Sequence, residues 1–471
     1  MDITNFTITD IINGYEEKKF SVSEVVSAYL ERIEKLNPKL NAFITIDSDN
    51  ARKKALRLSS GQANDSQPLF GIPVGIKDMF LTKGVRTTAS SKVLENYIPP
   101  YSSTVVTRLE EAGAISLGKL NCDAWAHGSS GENSDFGNTL NPWNKDYVPG
   151  GSSSGSSASV AASLVPISTG TDTGGSIRLP ASFTNTVGLK PTYGLVSRYG
   201  VIAMASSLDS IGHFSKTVED SARVLNVTAG ADGYDSTLRQ AQDKQENYLE
   251  DLNKDIKGLR IGIPKEYVTD ALNKDTRKAF ENSIKVLEEL GAEIVEVSLP
   301  NTEHAIATYY IIQPSEVSSN LARYDGIRYG NDRSSFGKEA KRRIMLGTFT
   351  LSSGYYDAYY KKAMQVRTLI VEDFTKAFNK VDALVAPVSP TPPWKFGEKA
   401  NDPLQMYLSD ALTVPINLAG VPALSVPAGF SSNKLPIGIQ FIGPHFSEKL
   451  LFQIGNNFEK KTEYWKNTPS L

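Results

Sequence analysis

Two short glycine-and-serine turns are the part of this sequence where chemistry is easiest to locate. The tripeptide Gly-Gly-Ser occurs at 150–152 and again at 174–176. Because glycine has no Cβ and can take positive φ, the backbone can turn sharply at both places, and amide N–H groups can approach a ligand closely. Each turn ends on a hydroxyl. The two turns therefore indicate a nucleophilic site built on Ser152 and Ser176.

A serine hydroxyl is a weak nucleophile until a base removes its proton, and the usual base is histidine. None of the histidines has glycine-flanked or acid-flanked surroundings that would indicate a relay: His127, His213, His304 and His445. A lysine is the other choice if burial lowers its pKa far below the ~10.4 of a free side chain. Lys77 is the candidate because the run LFGIPVGIKDMF predicts a buried strand that ends in a turn. An exposed lysine paired with Asp78 is the competing interpretation.

The segments around these residues resemble the amidase signature family. The matching stretches are GGSSSGSS, DTGGSIRLP and, 75 residues before Ser152, the lysine of GIPVGIKD. Carried over residue by residue, the resemblance implies that Ser176 is the nucleophile, Ser152 a bridging serine and Lys77 the base. It also implies a cis peptide bond between Gly151 and Ser152. Ser154 stands where many members carry glycine, and the family pattern tolerates this change.

A Lys-Ser-Ser relay has a simple proton path. Neutral Lys77 takes a proton from Ser152, which takes one from Ser176 as that oxygen attacks an amide carbon. Lysine then returns the proton to the leaving amine. The developing oxyanion needs donors that are already in place. The expected donors are the backbone amides of the second turn: Thr173, Gly174, Gly175 and Ser176.

Three other interpretations of the glycine-containing segments fit the sequence less well. A flexible Gly/Ser linker would not continue into TDTGGSIRLPASF. The stretch 151–155 matches G-x-S-x-G, which would make Ser153 the nucleophile, but NPWNKDYVPGG ahead of it does not predict the required strand. The stretch 113–120 is one residue short of a phosphate loop, since Leu120 replaces the Ser or Thr that binds magnesium. A helix ending at Gly113 and a strand at 114–117 are predicted there, with no ATP site.

Length and composition predict a cytoplasmic enzyme. We expect one large domain over residues 1–471, because no linker or charge block divides the chain. With 50 basic and 52 acidic residues, the chain has no basic surface for binding nucleic acid unaided. The single cysteine, Cys122, excludes an internal disulfide and fits a reducing compartment. Neither a signal peptide nor a membrane span is predicted.

The order of predicted elements indicates an α/β fold with a mixed sheet covered by helices on both faces. Ser21 and Glu24 form a capping box that opens a helix closed at Asn37-Pro38, followed by a strand at 40–46. A helix is predicted at 158–165. Residues 302–378, rich in helix formers and aromatics, predict a helical excursion beside the catalytic face. The further predicted helices are 103–112, 217–225 and 276–290, and the further strands are 259–263, 293–297, 383–388 and 437–442.

Longer segments resemble one branch of the family, the glutamine-hydrolysing subunits of tRNA-dependent amidotransferases. They include HGSSGENSDFGNTLNPWNKDYVPGGSS and DPLQMYLSDALTVPINLAGVPALSVPAG. The resemblance implies hydrolysis of glutamine and delivery of ammonia within a heterotrimer. A B subunit would bind tRNA and use ATP and Mg, and a small C subunit would bridge. This chain would then need no cofactor or metal of its own and would serve tRNA indirectly. The loop before Phe336 is shorter than in many relatives.

Glutamine carries an α-carboxylate and an α-ammonium, so a selective site needs one fixed cation and one fixed anion. By resemblance, Arg343 aligns with the carboxylate-binding arginine, Asp410 with the ammonium-binding acid, and Tyr309 with a tyrosine of the same pocket. The competing interpretations are a solvated helix face for Arg342 and Arg343 and a helix cap for Asp410. Two other functions also remain open: a stand-alone amidase for small aliphatic or aromatic amides, and a non-catalytic assembly protein. Because all three relay residues are present, the sequence argues against the second.

Overall fold

The computed structural model describes residues 2–59, 67–241, 246–328, 330–400 and 402–471. The strands are β1 (Phe43–Ile46), β2 (Pro73–Lys77), β3 (Ile115–Leu120), β4 (Ile167–Asp172), β5 (Val187–Lys190), β6 (Ser210–Ser215), β7 (Arg260–Pro264), β8 (Glu293–Val297), β9 (Ala383–Pro387), β10 (Ala423–Phe430) and β11 (Pro436–Ile442). The α-helices are α1 (Ile8–Glu16), α2 (Val22–Leu40), α3 (Ser48–Ser59), α4 (Thr104–Glu111), α5 (Ser154–Ala161), α6 (Arg178–Thr184), α7 (Val218–Thr228), α8 (Lys274–Glu289), α9 (Ala305–Leu321), α10 (Lys338–Thr350), α11 (Lys362–Phe378), α12 (Pro403–Leu408), α13 (Val414–Ala419) and α14 (Glu448–Thr462).

All these strands form one mixed sheet in the order β1-β3-β2-β4-β6-β5-β10-β11-β9-β7-β8. Pairing is parallel among β3, β2 and β4 and among β8, β7 and β9, and antiparallel elsewhere. Every residue of β2, β4, β5, β6 and β11 is buried. Because successive strand residues point to opposite faces, both faces of the sheet must be covered. The predicted α/β class is confirmed.

The predicted helical excursion corresponds to the segment between β8 and β9, which contains α9, α10 and α11. A π-helical stretch, Tyr356–Lys361, leads into α11. Helix α9 reaches the second serine turn, because a Cβ placed on Gly174 would lie 2.8 Å from the hydroxyl oxygen of Tyr309. Within the described ranges, no helix combines the length and the apolar character that crossing a membrane requires.

The end of the first long helix was predicted wrongly. Helix α2 begins at the predicted capping box of Ser21 and Glu24, but it continues through Pro38 to Leu40. Its end is set by Asn41, which takes the left-handed conformation at φ 51°. The first strand consequently begins at Phe43 and not at residue 40.

Two boundaries near the site also differ from the predictions. The helix predicted at 158–165 is α5, which begins at Ser154 and ends at Ala161, before Ser163 takes φ 54°. The second residue of α5, Gly155, lies against the backbone of Ala42, where a Cβ would be only 2.4 Å from the carbonyl oxygen. The helix can begin this early because glycine has no side chain to clash there. The strand predicted at 114–117 is β3, which extends to Leu120 because its pairing with β2 continues to that residue.

Candidate active site

Lys77 occupies the last position of β2, between β3 and β4 in the sheet, and its side chain is fully buried. Strand β4 pairs with β2 only through Val74 and Gly75. Beyond that point the Oγ1 atom of Thr169 accepts a hydrogen bond from the backbone N–H of Lys77 over 2.9 Å. A side chain of β4 thus replaces the backbone ladder and fixes the place where Lys77 leaves the sheet.

Three hydroxyls surround the Nζ atom of Lys77. It lies 2.9 Å from Oγ of Ser152, 2.8 Å from Oγ of Ser153 and 2.7 Å from Oγ1 of Thr171. Burial lowers the pKa of Lys77 to about 8, and nearby charges such as that of Asp123 offset this shift only in part. An amine with this pKa is neutral in a substantial fraction of molecules at mildly alkaline pH and can act as a base.

The competing interpretation of Lys77 as an exposed partner of Asp78 is wrong. Asp78 is itself buried and accepts a hydrogen bond from the N–H of Thr88 over 2.9 Å. Its Oδ1 atom lies 3.6 Å from Nζ of Lys119, which is also fully buried. The carboxylate next to Lys77 in the sequence therefore neutralises a different lysine.

The first serine turn is held against the second one. The peptide bond between Gly151 and Ser152 is cis, as predicted. No side chain fits at Gly151, because a Cβ there would lie 2.1 Å from Oδ2 of Asp123. The backbone N–H of Ser153 donates to the carbonyl oxygen of Ser176 over 3.3 Å. The fold thus brings the two serine turns, with the candidate bridging serine and the candidate nucleophile, into contact.

A buried ion pair shapes the second turn. Arg178 donates from Nε to Oδ2 of Asp172 and from an NH2 nitrogen to Oδ1, each over 3.1 Å, and both side chains are fully buried. Burial opposes ionisation of Asp172, but the charge and hydrogen bonds of Arg178 prevail, and its pKa falls to about 2. Asp172 also accepts from the N–H groups of Gly175 and Ile177. The side chain of Asp172 therefore holds the loop between Asp172 and Arg178 through hydrogen bonds to the loop's own backbone.

The amides of this loop are not equivalent. The N–H of Gly175 donates to Oδ1 of Asp172 over 2.8 Å, so its role as an oxyanion donor, which stays a prediction, would require it to exchange this partner for the substrate. The N–H groups of Thr173, Gly174 and Ser176 donate to no other residue within the described ranges. Thr173, Gly174 and Ser176 stay predicted oxyanion donors, because preorganised N–H groups without a protein partner suit a developing negative charge.

The three predicted substrate-binding residues lie around one aromatic side chain that the sequence argument missed. The hydroxyl of Tyr310 donates to Oδ2 of Asp410 over 3.3 Å. The guanidinium of Arg343 lies 5.5 Å from the centre of the same ring, and the neighbouring ring of Tyr309 covers Gly174. Tyr310 thus contacts both a cation and an anion beside the second serine turn. In the sequence, the adjacent tyrosines of ATYYII could have indicated that Tyr310 lies next to the pocket residue Tyr309.

Arg343 and Asp410 are buried, with 4% and 5% of their surfaces exposed. The interpretation of Arg343 as part of a solvated helix face is therefore wrong, although its neighbour Arg342 is exposed and pairs with Glu339. Asp410 lies in the turn between α12 and α13. Its Oδ2 atom accepts from Oγ of Ser129 over 2.7 Å, and burial raises its pKa to about 6.

The geometry argues against both competing motifs. Ser153 directly follows the cis turn rather than a strand, and its hydroxyl donates to the carbonyl oxygen of Thr171 over 3.3 Å. In the phosphate-loop-like stretch, Nζ of Lys119 lies inside the fold and donates to the carbonyl oxygen of Phe80 over 2.6 Å and to Oγ1 of Thr87 over 2.7 Å. That lysine is not available to a phosphate.

The histidines lie outside the hydroxyl cluster. Burial lowers the pKa of His213 to about 3, and its Nε2 is 2.7 Å from Oγ of Ser221. His127 is buried, and neither of its ring nitrogens has a hydrogen-bond partner among the described residues. Across the described ranges, no hydrogen bond joins a histidine side chain to Lys77 or Ser152, so Lys77 stays the predicted base.

The comparisons with known proteins agree with this geometry. The family model described as Amidase matches residues 24–452. The chain belongs to the amidase family. It is 52% identical, over the full length of both chains, to the A subunit of the glutamyl-tRNA(Gln) amidotransferase of Geobacillus sp. (strain WCH70).

Two solved members of the family show how widely its fold is used. The crystal structure of the A subunit of glutamyl-tRNA(Gln) amidotransferase from Thermotoga maritima matches with a TM-score of 0.84 and 41% identity, covering 100% of this chain and 96% of that one. The peptide amidase of Stenotrophomonas maltophilia matches with a TM-score of 0.85 and 29% identity, covering 99% and 98%. The family fold alone therefore does not decide the substrate.

Proposed function

We propose that this chain is the glutamine-hydrolysing subunit of an amidotransferase that converts Glu-tRNA(Gln) to Gln-tRNA(Gln). The observation that carries the proposal is the buried pair of opposite charges, Arg343 and Asp410, which both contact Tyr310 beside the second serine turn. A free amino acid presents a carboxylate and an ammonium together, and a desolvated site needs a partner for each. The full-length relatives at 52% identity support the same substrate.

The first half of the reaction forms an ester on Ser176. Neutral Lys77 accepts the proton of Ser152, and Ser152 accepts the proton of Ser176 as its Oγ bonds to the γ-carboxamide carbon of glutamine. The C=O electrons move onto oxygen, which the free N–H groups of the second turn stabilise. As the C–N bond breaks, the relay gives its proton to the departing nitrogen, and ammonia leaves.

The second half releases glutamate. A water molecule attacks the γ-glutamyl ester, and its proton passes through Ser152 to Lys77. The ester C–O bond breaks, Ser176 regains a proton from the relay, and glutamate departs. Lys77 is neutral again, so the cycle consumes one glutamine and one water.

Ammonia is used by partner subunits in this proposal. The phosphate-loop-like stretch cannot serve ATP, because Lys119 is buried and already bonded to Phe80 and Thr87. With a formal net charge of −2, the chain has little electrostatic attraction for tRNA. We therefore assign ATP, Mg and tRNA to a B subunit and the bridging role to a small C subunit, and we place the heterotrimer in the cytoplasm.

The test is an assay of the chain alone and with its co-purified partners. We expect the isolated chain to show at most weak release of ammonia from glutamine and no transamidation, and the assembled complex to show both. ATP-dependent transamidation by the isolated chain would contradict the assignment of partners. Hydrolysis of propionamide with a kcat/KM that equals or exceeds that for glutamine would favour the stand-alone amidase instead.

A further inference from the structure

Gln313 carries an unpaired donor next to the candidate carboxylate-binding arginine. It is fully buried in α9, one helical turn after Tyr309 and on the same face. Its Oε1 atom accepts a hydrogen bond from an NH1 nitrogen of Arg343 over 2.8 Å. Its Nε2 atom has no partner among the described residues. A guanidinium has donors only, so the oxygen of Gln313 must face Arg343, and the unpaired atom is the amide nitrogen.

Arg343 also carries a donor nitrogen, NH2, that lacks a hydrogen-bond partner among the described residues. Its Nε atom donates to Oε1 of Glu339 over 2.8 Å, and NH1 donates to Gln313. Its NH2 nitrogen donates to no residue in the described parts of the chain. The positions of both donors are fixed by close contact between α9 and α10, since a Cβ on Gly347 would lie 1.9 Å from the carbonyl oxygen of Pro314.

Leaving a buried N–H group unpaired costs about 1–3 kcal/mol, and native proteins pair most such groups. Two donors without a protein partner, the buried Nε2 of Gln313 and the NH2 nitrogen of the guanidinium that touches it, can both be satisfied by an acceptor with two oxygens. A carboxylate meets this need, because one oxygen can face each donor. A carbonyl group offers a single oxygen and no charge.

We propose that Gln313 is a substrate-binding residue whose Nε2 atom donates to the α-carboxylate of glutamine alongside Arg343. The inference rests on the proposed function and adds a specificity residue to it. Gln313 then has two tasks. Its oxygen orients Arg343, and its nitrogen binds the ligand.

The substitution Gln313→Glu separates these tasks, because it keeps an oxygen toward Arg343 and replaces the donor by an acceptor. The experiment measures binding by calorimetry in a Ser176→Ala background, where hydrolysis does not interfere. The two probes are L-glutamine and 4-aminobutanamide, which lacks only the α-carboxylate. We expect Gln313→Glu to weaken L-glutamine binding by about tenfold to a hundredfold, the range for a hydrogen bond to a charged group. Binding of 4-aminobutanamide should change by less than about threefold.

Gln313→Met, which has a similar length and no amide, is the second variant, and thermal unfolding checks that each variant folds. In otherwise native protein, both variants should raise KM for glutamine and leave kcat nearly unchanged. Unchanged affinity for L-glutamine, or equal weakening with both probes, would overturn the role of Gln313 and leave the proposed function intact. Failure of the Ser176→Ala protein itself to bind L-glutamine would overturn both.

Discussion

The Nζ atom of Lys77 lies 2.9 Å from Oγ of Ser152, and both side chains are fully buried. A neutral lysine has two N–H bonds and one lone pair. Ser153 accepts from it, because the hydroxyl of Ser153 gives its own proton to the carbonyl oxygen of Thr171. If the side chain of Thr171 accepts the second N–H, the lone pair is left facing Ser152. This arrangement gives the base a single proton donor, the bridging serine.

The pH dependence of hydrolysis should report the pKa of Lys77. The base works only when neutral, and burial lowers its pKa to about 8. We expect kcat/KM for propionamide, which does not itself titrate, to rise about tenfold per pH unit below 8 and to level off above it. A rise in kcat/KM with an apparent pKa near 6.5, the ordinary value for histidine, would contradict a lysine base.

Removing the hydroxyl of Thr171 should slow the reaction without changing the fold. In Thr171→Val one N–H of Lys77 loses its acceptor, and the lone pair is no longer held toward Ser152. We expect kcat to fall about three- to tenfold, the effect of one hydrogen bond, and Thr171→Ser to recover most of it. A larger loss in Thr171→Ser than in Thr171→Val, measured with the same substrate, would show that the methyl group of Thr171 matters instead.

The sequence alone located the candidate catalytic residues, which stay predictions, better than it described their surroundings. Short, spaced motifs place Lys77 and the two serines, because the glycines that make their turns are visible in the sequence. The use of individual amides is not visible. Gly175 donates to Asp172 because the loop folds back on its own carboxylate. Tyr310 and Gln313 of α9 contact Arg343 of α10, and Tyr310 also contacts Asp410; such contacts between distant segments leave no local pattern.

The buried pair of Asp172 and Arg178 should matter for stability as well as for activity. Arg178→Met leaves a buried carboxylate without its cation, which commonly costs about 3–5 kcal/mol. The matched control is Arg260→Met, because Arg260 pairs with Asp382 over 2.9 Å at the surface, with side chains 46% and 32% exposed. That change should cost less than about 1 kcal/mol. The free energy of unfolding of each variant is measured by urea denaturation. Equal losses in the two variants would show that the buried ion pair contributes no more to stability than the surface pair.

The charged pair around Tyr310 should select glutamine over uncharged amides. We expect Arg343→Ala and Asp410→Ala to lower kcat/KM for glutamine by at least about thirtyfold, as expected for removing one partner of a desolvated charge. Propionamide, which has neither charge, should be hydrolysed as before. Arg342→Ala, one residue away and exposed, is the control and should change neither rate. Losses of equal size with the two substrates would favour the stand-alone amidase.

The most direct test of the account is to locate the covalent intermediate. The protein, assembled with its co-purified partners, is mixed with L-glutamine, quenched in acid during turnover, digested and mapped by mass spectrometry. We predict a γ-glutamyl ester on Ser176 in the native protein and no ester in Ser176→Ala, whereas Ser153→Ala should still carry the label on Ser176. An ester on Ser153 or Ser152, or full turnover by Ser176→Ala, would contradict the assignment of the nucleophile and with it the relay that begins at Lys77.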